Sequence, residues 1–191
     1  DPQNPYAFSK MKTEEFLKEN EDSYKFIILR YFNVAGADKL LRAGQISKRS
    51  THLIKILSEI AVGKRNFIEV YGNDYNTHDG TAIRDYIHVS DLADIHIEIA
   101  KYLLMHSNSQ ILNCGYGKGY SVLDVINEAN KICNNSIKYK FTKRRKGDVE
   151  KLISNTNKIQ KLINWEPKYD DLNTIIKSSI MWERKLNDKI L

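Results

Sequence analysis

The sequence predicts an α/β protein, and three observations carry that expectation. Short apolar runs of strand length alternate with amphipathic stretches of helical spacing along the chain. The run Phe26-Ile27-Ile28-Leu29-Arg30-Tyr31-Phe32 is nearly continuous rather than alternating, as in a strand buried on both faces of a parallel sheet. Glycine and Asn/Asp clusters punctuate the segments, and no internal repeat or low-complexity linker interrupts them. At 191 residues, 41% hydrophobic and 28% charged, the chain can bury one substantial core, or one and a half domains.

Residues 4–24 read as a helix. Asn4 suits the N-cap, Pro5 pre-sets the first turn, and Phe8, Met11, Glu15 and Phe16 fall near helical spacing. After the strand at 26–32, Ala35-Gly36-Ala37 breaks the run and residues 43–50 form a loop. Residues 51–62 make an amphipathic helix ending at Gly63. A strand at 67–71 leads into the turn-rich stretch 72–81. A second short strand at 84–89 follows, and Ser90 caps a long helix to about residue 105. A strand at 110–114 precedes the loop Gly115-Tyr116-Gly117-Lys118-Gly119. Ser121 with Asp124 three residues on then opens a helix to 133. A strand at 137–141, the basic tract Lys143-Arg144-Arg145-Lys146 and helices at 156–163 and 172–186 complete the order.

Composition narrows the function classes. No apolar run has the length of a membrane span and no charged-then-apolar leader opens the chain, so no membrane partner is expected. Cys114 and Cys133 have no zinc-like spacing, which points to a reducing, cytoplasmic setting. The net charge of +6 raises nucleic acid as a partner, but Lys is spread along the chain, so none is expected. The dense cluster at 143–146 reads as a solvated loop or a site for a small anionic ligand. His78, His88 and His96 lack the partners of a metal site and read as structural; no metal is expected. Because residue 1 is Asp rather than Met, the chain is expected to be a piece of a longer protein.

Tyr6 and Lys10, four apart, share one face of the first helix. An ammonium there favours a phenolate, so a Tyr that ordinarily ionises near pH ~10 becomes a usable base. With 11 Tyr and 30 Lys+Arg, the spacing alone arises by chance, and a surface pair is the bland alternative. Four longer tracts change the odds. They are Asn4-Pro5-Tyr6-Ala7-Phe8-Ser9-Lys10, the run from Leu29 to Ala37, the run from Tyr71 to His96, and Arg144-Arg145-Lys146-Gly147-Asp148. On these, from residue 4 to about 186, the chain resembles the second half of the UDP-glucose (UDP-galactose) 4-epimerases of the extended short-chain dehydrogenase/reductase superfamily. Related dehydratases and decarboxylases share the first tract but not the run from Gly72 to Val89.

The resemblance implies a fold and a chemistry. Residues 1–33 would be the tail of a Rossmann-type doubly wound parallel sheet. Residues 34–191 would form a smaller α/β UDP-sugar-binding domain, with about 84–114 packing back on the Rossmann part. The implied activity interconverts UDP-glucose and UDP-galactose: the sugar is oxidised at C4, the keto sugar turns in its pocket, and it is reduced again with bound NAD. Tyr6 would take the 4-hydroxyl proton. Lys10 would lower its pKa and hold the nicotinamide ribose, and Phe32 would line the nicotinamide side. Asn33 and Arg84 would contact the diphosphate or sugar, Arg145 the diphosphate, and Asp148 a ribose hydroxyl. Glu69, Val70 and Tyr71 would hold the uracil, Tyr71 as an aromatic wall. Arg84 paired with Asp85 or Asp91, and Arg145 as a solvated loop charge, are the structural alternatives. The glycines at 115, 117 and 119 read as a strand-to-helix connection rather than a phosphate cradle.

Three departures qualify the likeness. Where many bacterial members carry Asn-Asn-Leu and a following Pro, this chain has Thr51-His52-Leu53-Ile54-Lys55. His52 and Leu53 still suit the substrate side, but Lys55 is unexpected. Leu152 stands where a bulky Tyr is frequent, and a smaller residue there leaves room for a 2-acetamido group, so UDP-N-acetylhexosamines are an alternative substrate class. Another sugar-nucleotide enzyme of the extended family is a further alternative. The glycine-rich turn for the NAD pyrophosphate is absent. This chain is therefore expected neither to bind NAD nor to turn over by itself, and an inactive UDP-sugar-binding remnant is an alternative. Homodimerisation through a contact that includes the Tyr-Lys helix is implied by analogy.

Overall fold

In the computed structural model, which describes residues 2, 4–47, 49–134 and 137–188, helix α1 (Pro5–Glu19) starts where Asn4 accepts the Ala7 N–H at 2.8 Å. It ends sooner than the expected residue 24, because Asn20 caps it and donates its side-chain amide to the Phe16 carbonyl at 2.8 Å. None of its residues is buried. Next come β1 (Ile27–Tyr31), β2 (Asn33–Ala35), α2 (Leu53–Ala61), β3 (Ile68–Tyr71), β4 (Ile83–Arg84), β5 (Tyr86–His88) and α3 (Val89–His106). Then follow β6 (Gln110–Cys114), β7 (Tyr120–Ser121), α4 (Val122–Ile132), β8 (Tyr139–Thr142), β9 (Lys151–Leu152), α5 (Asn157–Leu162) and α6 (Leu172–Asp188). None of the described helices is long and apolar enough to cross a membrane.

The strands pair mostly in parallel, as an α/β chain requires: β1 with β6, β2 with β5, and β3 with β8. A small mixed sheet sets β4 between antiparallel β7 and parallel β9. The β2–β5 pair divides the interior. Tyr86 and Ala35 face a cluster built on Ile54, Leu57, Val70, Ile126, Ile175 and Ile176 from α2, β3, α4 and α6. Their neighbours Ile87 and Val34 face a second cluster with Leu92, Ile95, Leu112, Cys114 and Ile159 from α3, β6 and α5. The two-residue period of a strand therefore sends alternate side chains into two cores. Tyr116 packs against both. Each fully buried aliphatic side chain in these cores contributes about 1.5–3 kcal/mol.

Three expectations are corrected, and one unexpected residue finds its place. The run at 26–32 is not buried on both faces: Ile27 to Leu29 are half-buried, Arg30 and Tyr31 exposed, because β1 has one strand neighbour among the described residues. The single strand expected at 84–89 is two, split at Asp85. That residue is wholly buried and accepts the N–H groups of Tyr116 (3.2 Å), Gly117 (3.0 Å) and Ser154 (3.1 Å), plus the Ser154 hydroxyl. Turning inward to meet them breaks the strand. Ser90 does not cap α3; His88 does, its ring nitrogen Nδ1 accepting the Ser90 N–H at 3.1 Å. Lys55, the residue out of pattern in the sequence, is buried. It is 6% exposed and pairs with Glu183 of α6, while Lys64 meets Glu183 at 2.8 Å and Arg65 meets Glu59 at 2.5 Å. This network, buried at Lys55, Glu59 and Glu183, ties α2 to α6.

Candidate functional site

A cavity of about 590 Å³ opens between the start of α2, the ends of β2 and β3, β4, the loop at 145–148 and one side of α6. Asn33, His52, Leu53, Glu69, Tyr71, Arg84, Arg145 and Asp148 all line it. They come from five separate stretches of sequence, so the fold, not proximity in the chain, gathers them.

Each is held by an identifiable contact. Asn33 donates both its main-chain N–H (3.1 Å) and its side-chain amide (3.2 Å) to the carbonyl of Asp85, fixing the side chain beside Arg84. Arg84 donates to the Ile83 carbonyl at 2.8 Å, and its other terminal nitrogen lies 3.5 Å from an Asp148 carboxylate oxygen. Neither structural alternative for Arg84 is formed. Asp85 is committed to its own donors, and Asp91 accepts the Tyr116 hydroxyl at 2.5 Å and the N–H groups of Lys168 and Tyr169. His52 holds the N-cap position of α2 without a side-chain capping bond, its main-chain N–H on Ser50 Oγ at 3.1 Å. Arg145 lies over Tyr71, its guanidinium carbon 3.6 Å from the ring centre. Tyr71 donates its hydroxyl to Glu69 at 2.8 Å, and Lys140 sits 3.1 Å from the same carboxylate. The Tyr71 hydroxyl first, then Lys140, hold the Glu69 carboxyl below its usual range.

Five expected site residues stand off the cavity wall. Val70, 1% exposed, spends its side chain in the first core, leaving only main chain for a ligand. Leu152 is 48% exposed on β9, paired in register with Arg84. Phe32 is half-buried between β1 and β2, bonded through its N–H to the Cys114 carbonyl at 3.3 Å. Tyr6 and Lys10 do share a face of α1, with the Lys10 ammonium 5.3 Å from the Tyr6 ring centre, but Tyr6 is 71% exposed. Conversely, Lys55, Arg65, Trp182 and Glu183 line the cavity and were not expected there. Only Lys55 carried a signal in the sequence, as a residue out of pattern.

Other candidates resolve structurally. The loop at 115–119 wraps an internal carboxylate: its Tyr116 and Gly117 N–H groups are taken by Asp85, so they are not offered to a phosphate. His78 gathers with Asp79 and Asp124, a cluster the sequence reading did not foresee. Asp79 accepts the Thr81 N–H and hydroxyl at 2.8 Å each, and Asp124 accepts the Ser121 N–H in the capping box of α4. Chemically, the guanidinium groups of Arg65, Arg84 and Arg145 and the aromatic rings on one cavity suit an anionic ligand with a flat ring system.

Comparison with known proteins agrees with that geometry. A family model described as GDP-mannose 4,6 dehydratase matches residues 1–178. The chain is 41% identical over 191 residues to a UDP-glucose 4-epimerase of Azospirillum brasilense, covering 99% of this chain and 55% of that protein. Among solved structures, a UDP-glucose 4-epimerase from Stenotrophomonas maltophila with bound NAD and formylated UDP-arabinopyranose superposes with a TM-score of 0.94 at 28% identity, over 99% of this chain and 57% of that one. A UDP-Glc/GlcNAc 4-epimerase from Campylobacter jejuni is 44% identical with a TM-score of 0.77, over 97% of this chain and 57% of that one. The chain thus spans about half the length of the curated relatives it matches.

Proposed function

The chain belongs to the GDP-mannose 4,6 dehydratase family, and from that footing we propose that it is the UDP-sugar-binding part of an enzyme that interconverts UDP-glucose and UDP-galactose. The observation that carries this reading is the convergence of Asn33, His52, Glu69, Tyr71, Arg84, Arg145 and Asp148 on one cavity. Arg84 and Arg145 neutralise the diphosphate, Asp148 accepts from a ribose hydroxyl, and Tyr71 with the main chain of Glu69 and Val70 walls the base. A grip confined to the nucleotide leaves the hexose free to turn.

Tyr6 is the group that takes the 4-hydroxyl proton, with Lys10 beside it. Both lie on the open face of α1, accessible to whatever packs there. NAD, when bound, supplies a hydride acceptor at the sugar C4 and returns the hydride to it. The residues of this chain fit only its nicotinamide end. No Gly-x-Gly-x-x-Gly tract occurs in the sequence, and the Tyr116 and Gly117 N–H groups of the loop at 115–119 are already engaged by Asp85. NAD therefore belongs to a protein in which a dinucleotide-binding segment stands against α1. The division at residue 33, with about 84–114 packing back, is supported by β1, α3 and β6 sharing the second core.

A second reading, acceptance of UDP-N-acetylhexosamines, is favoured by the exposed aliphatic Leu152 beside Arg84. Calorimetric titration of the purified chain tests both. UDP should bind saturably, and Arg84→Ala should weaken it about tenfold or more. Absence of saturable UDP binding would overturn the first reading. Failure of UDP-N-acetylglucosamine to displace UDP-glucose would remove the second.

A further inference from the structure

The ring that walls the base site is already covered. Arg145 places its guanidinium carbon 3.6 Å from the centre of the Tyr71 ring, within cation–π range, and both residues line the cavity. The ring cannot swing away from its cover freely, because its hydroxyl is tied to Glu69 at 2.8 Å and Glu69 to Lys140 at 3.1 Å. Arg145 adds its own attraction to that carboxylate. The neighbouring Arg144 repeats the arrangement on Tyr75 at 4.1 Å, but it is anchored to Asp74 at 2.6 Å and so is not free to leave. Among the described contacts Arg145 has no such carboxylate clamp, and it sits on an exposed loop. Of the two stacked arginines, it is the movable one.

We propose that Arg145 is a specificity-determining latch that makes base binding conditional on a diphosphate. This rests on the reading of Tyr71 as the uracil wall. A flat base and a guanidinium cannot share one face of the ring, so a base that stacks on the face Arg145 covers displaces it. A nucleoside offers the displaced cation nothing in return. A nucleoside diphosphate offers two phosphate oxygens to its planar fork, a stronger partner than the ring face. The latch therefore discriminates against uridine and uracil without touching them, by making their entry break a contact that only the diphosphate replaces.

Titrations of the chain with uridine and with UDP, followed by NMR, separate the outcomes. In Arg145→Ala, UDP binding should weaken about tenfold or more while uridine binding tightens about two- to fivefold, the worth of one exposed cation–π contact. Arg145→Lys, which keeps the charge without the planar fork, should tighten uridine as Arg145→Ala does but retain more of the UDP affinity. Uridine binding that is undetectable in every form, or unchanged or weaker in Arg145→Ala, overturns the latch. Tyr71→Ala leaving both affinities unaltered would instead remove the base-wall reading, and the latch with it.

Discussion

Helix α1 and the segment 83–88 both carry tracts of distinctive residue order, yet α1 buries none of its fifteen residues while Asp85, Tyr86, Ile87 and His88 are each 4% exposed or less. In 83–88 the two buried polar side chains Asp85 and His88 have partners inside this chain: Asp85 with the main chain at Tyr116, Gly117 and Ser154, and His88 between Ser90 and Ser178. In α1 the polar contacts are local, such as the Ser9 hydroxyl on the Tyr6 carbonyl at 2.8 Å, and among the described residues only Glu14 reaches out, to Arg30. A motif can thus be complete in sequence while the surroundings that give it effect are supplied by one region of the chain and not by another.

Substitutions sharpen that contrast. The largest effect belongs to Asp85→Ala, which leaves several buried N–H donors unpaired. Urea denaturation should show a loss of about 3 kcal/mol or more, and a change below about 1 kcal/mol would refute the view of Asp85 as the organiser of the loop at 115–117. A smaller effect comes from pH. Burial holds the His88 imidazole below its ordinary 6.5, against a weaker upward pull from Asp91. The unfolded chain then takes up the proton first, so the contribution of the neutral ring is intact above pH 6.5 and declines as the pH falls through that value toward the lower folded pKa. Urea midpoints should drop between about pH 7.5 and 5.5, and His88→Asn should flatten part of that drop. An identical slope in both proteins would clear His88 of the role. The smallest effect is expected in α1: Tyr6→Phe and Lys10→Ala should each shift stability by no more than about 0.5 kcal/mol, and α1 amides should exchange faster than those of β5. Strong protection of α1 would erase the contrast.

What could be read from the sequence follows the range of the forces involved. The Asn4 cap and the Ser121–Asp124 capping box are settled within three residues, and both formed as expected. The split of 84–89 was not legible, because it depends on Ser154, 69 positions away. Nor was Lys55, whose counter-ion Glu183 lies 128 positions along the chain. Ser90 was chosen as a cap by residue type; His88 took the place because its ring is fixed by stacking on Tyr169 at 4.4 Å and can present Nδ1 to the Ser90 N–H. For the cavity, the long tract from Tyr71 to His96 and the basic cluster contain Tyr71, Arg84 and Arg145, which the fold brings to its wall. The covering of Tyr71 by Arg145 is a matter of side-chain placement that no spacing encodes.

The Tyr116 hydroxyl donates to Asp91 and accepts the His88 N–H at 3.1 Å, while its ring touches both cores. One phenol is thereby a rivet through two layers, and neither layer can loosen without orphaning a group in the other. Heating should accordingly give a single calorimetric transition rather than two, even though the apolar interior is divided by a sheet of only two strands.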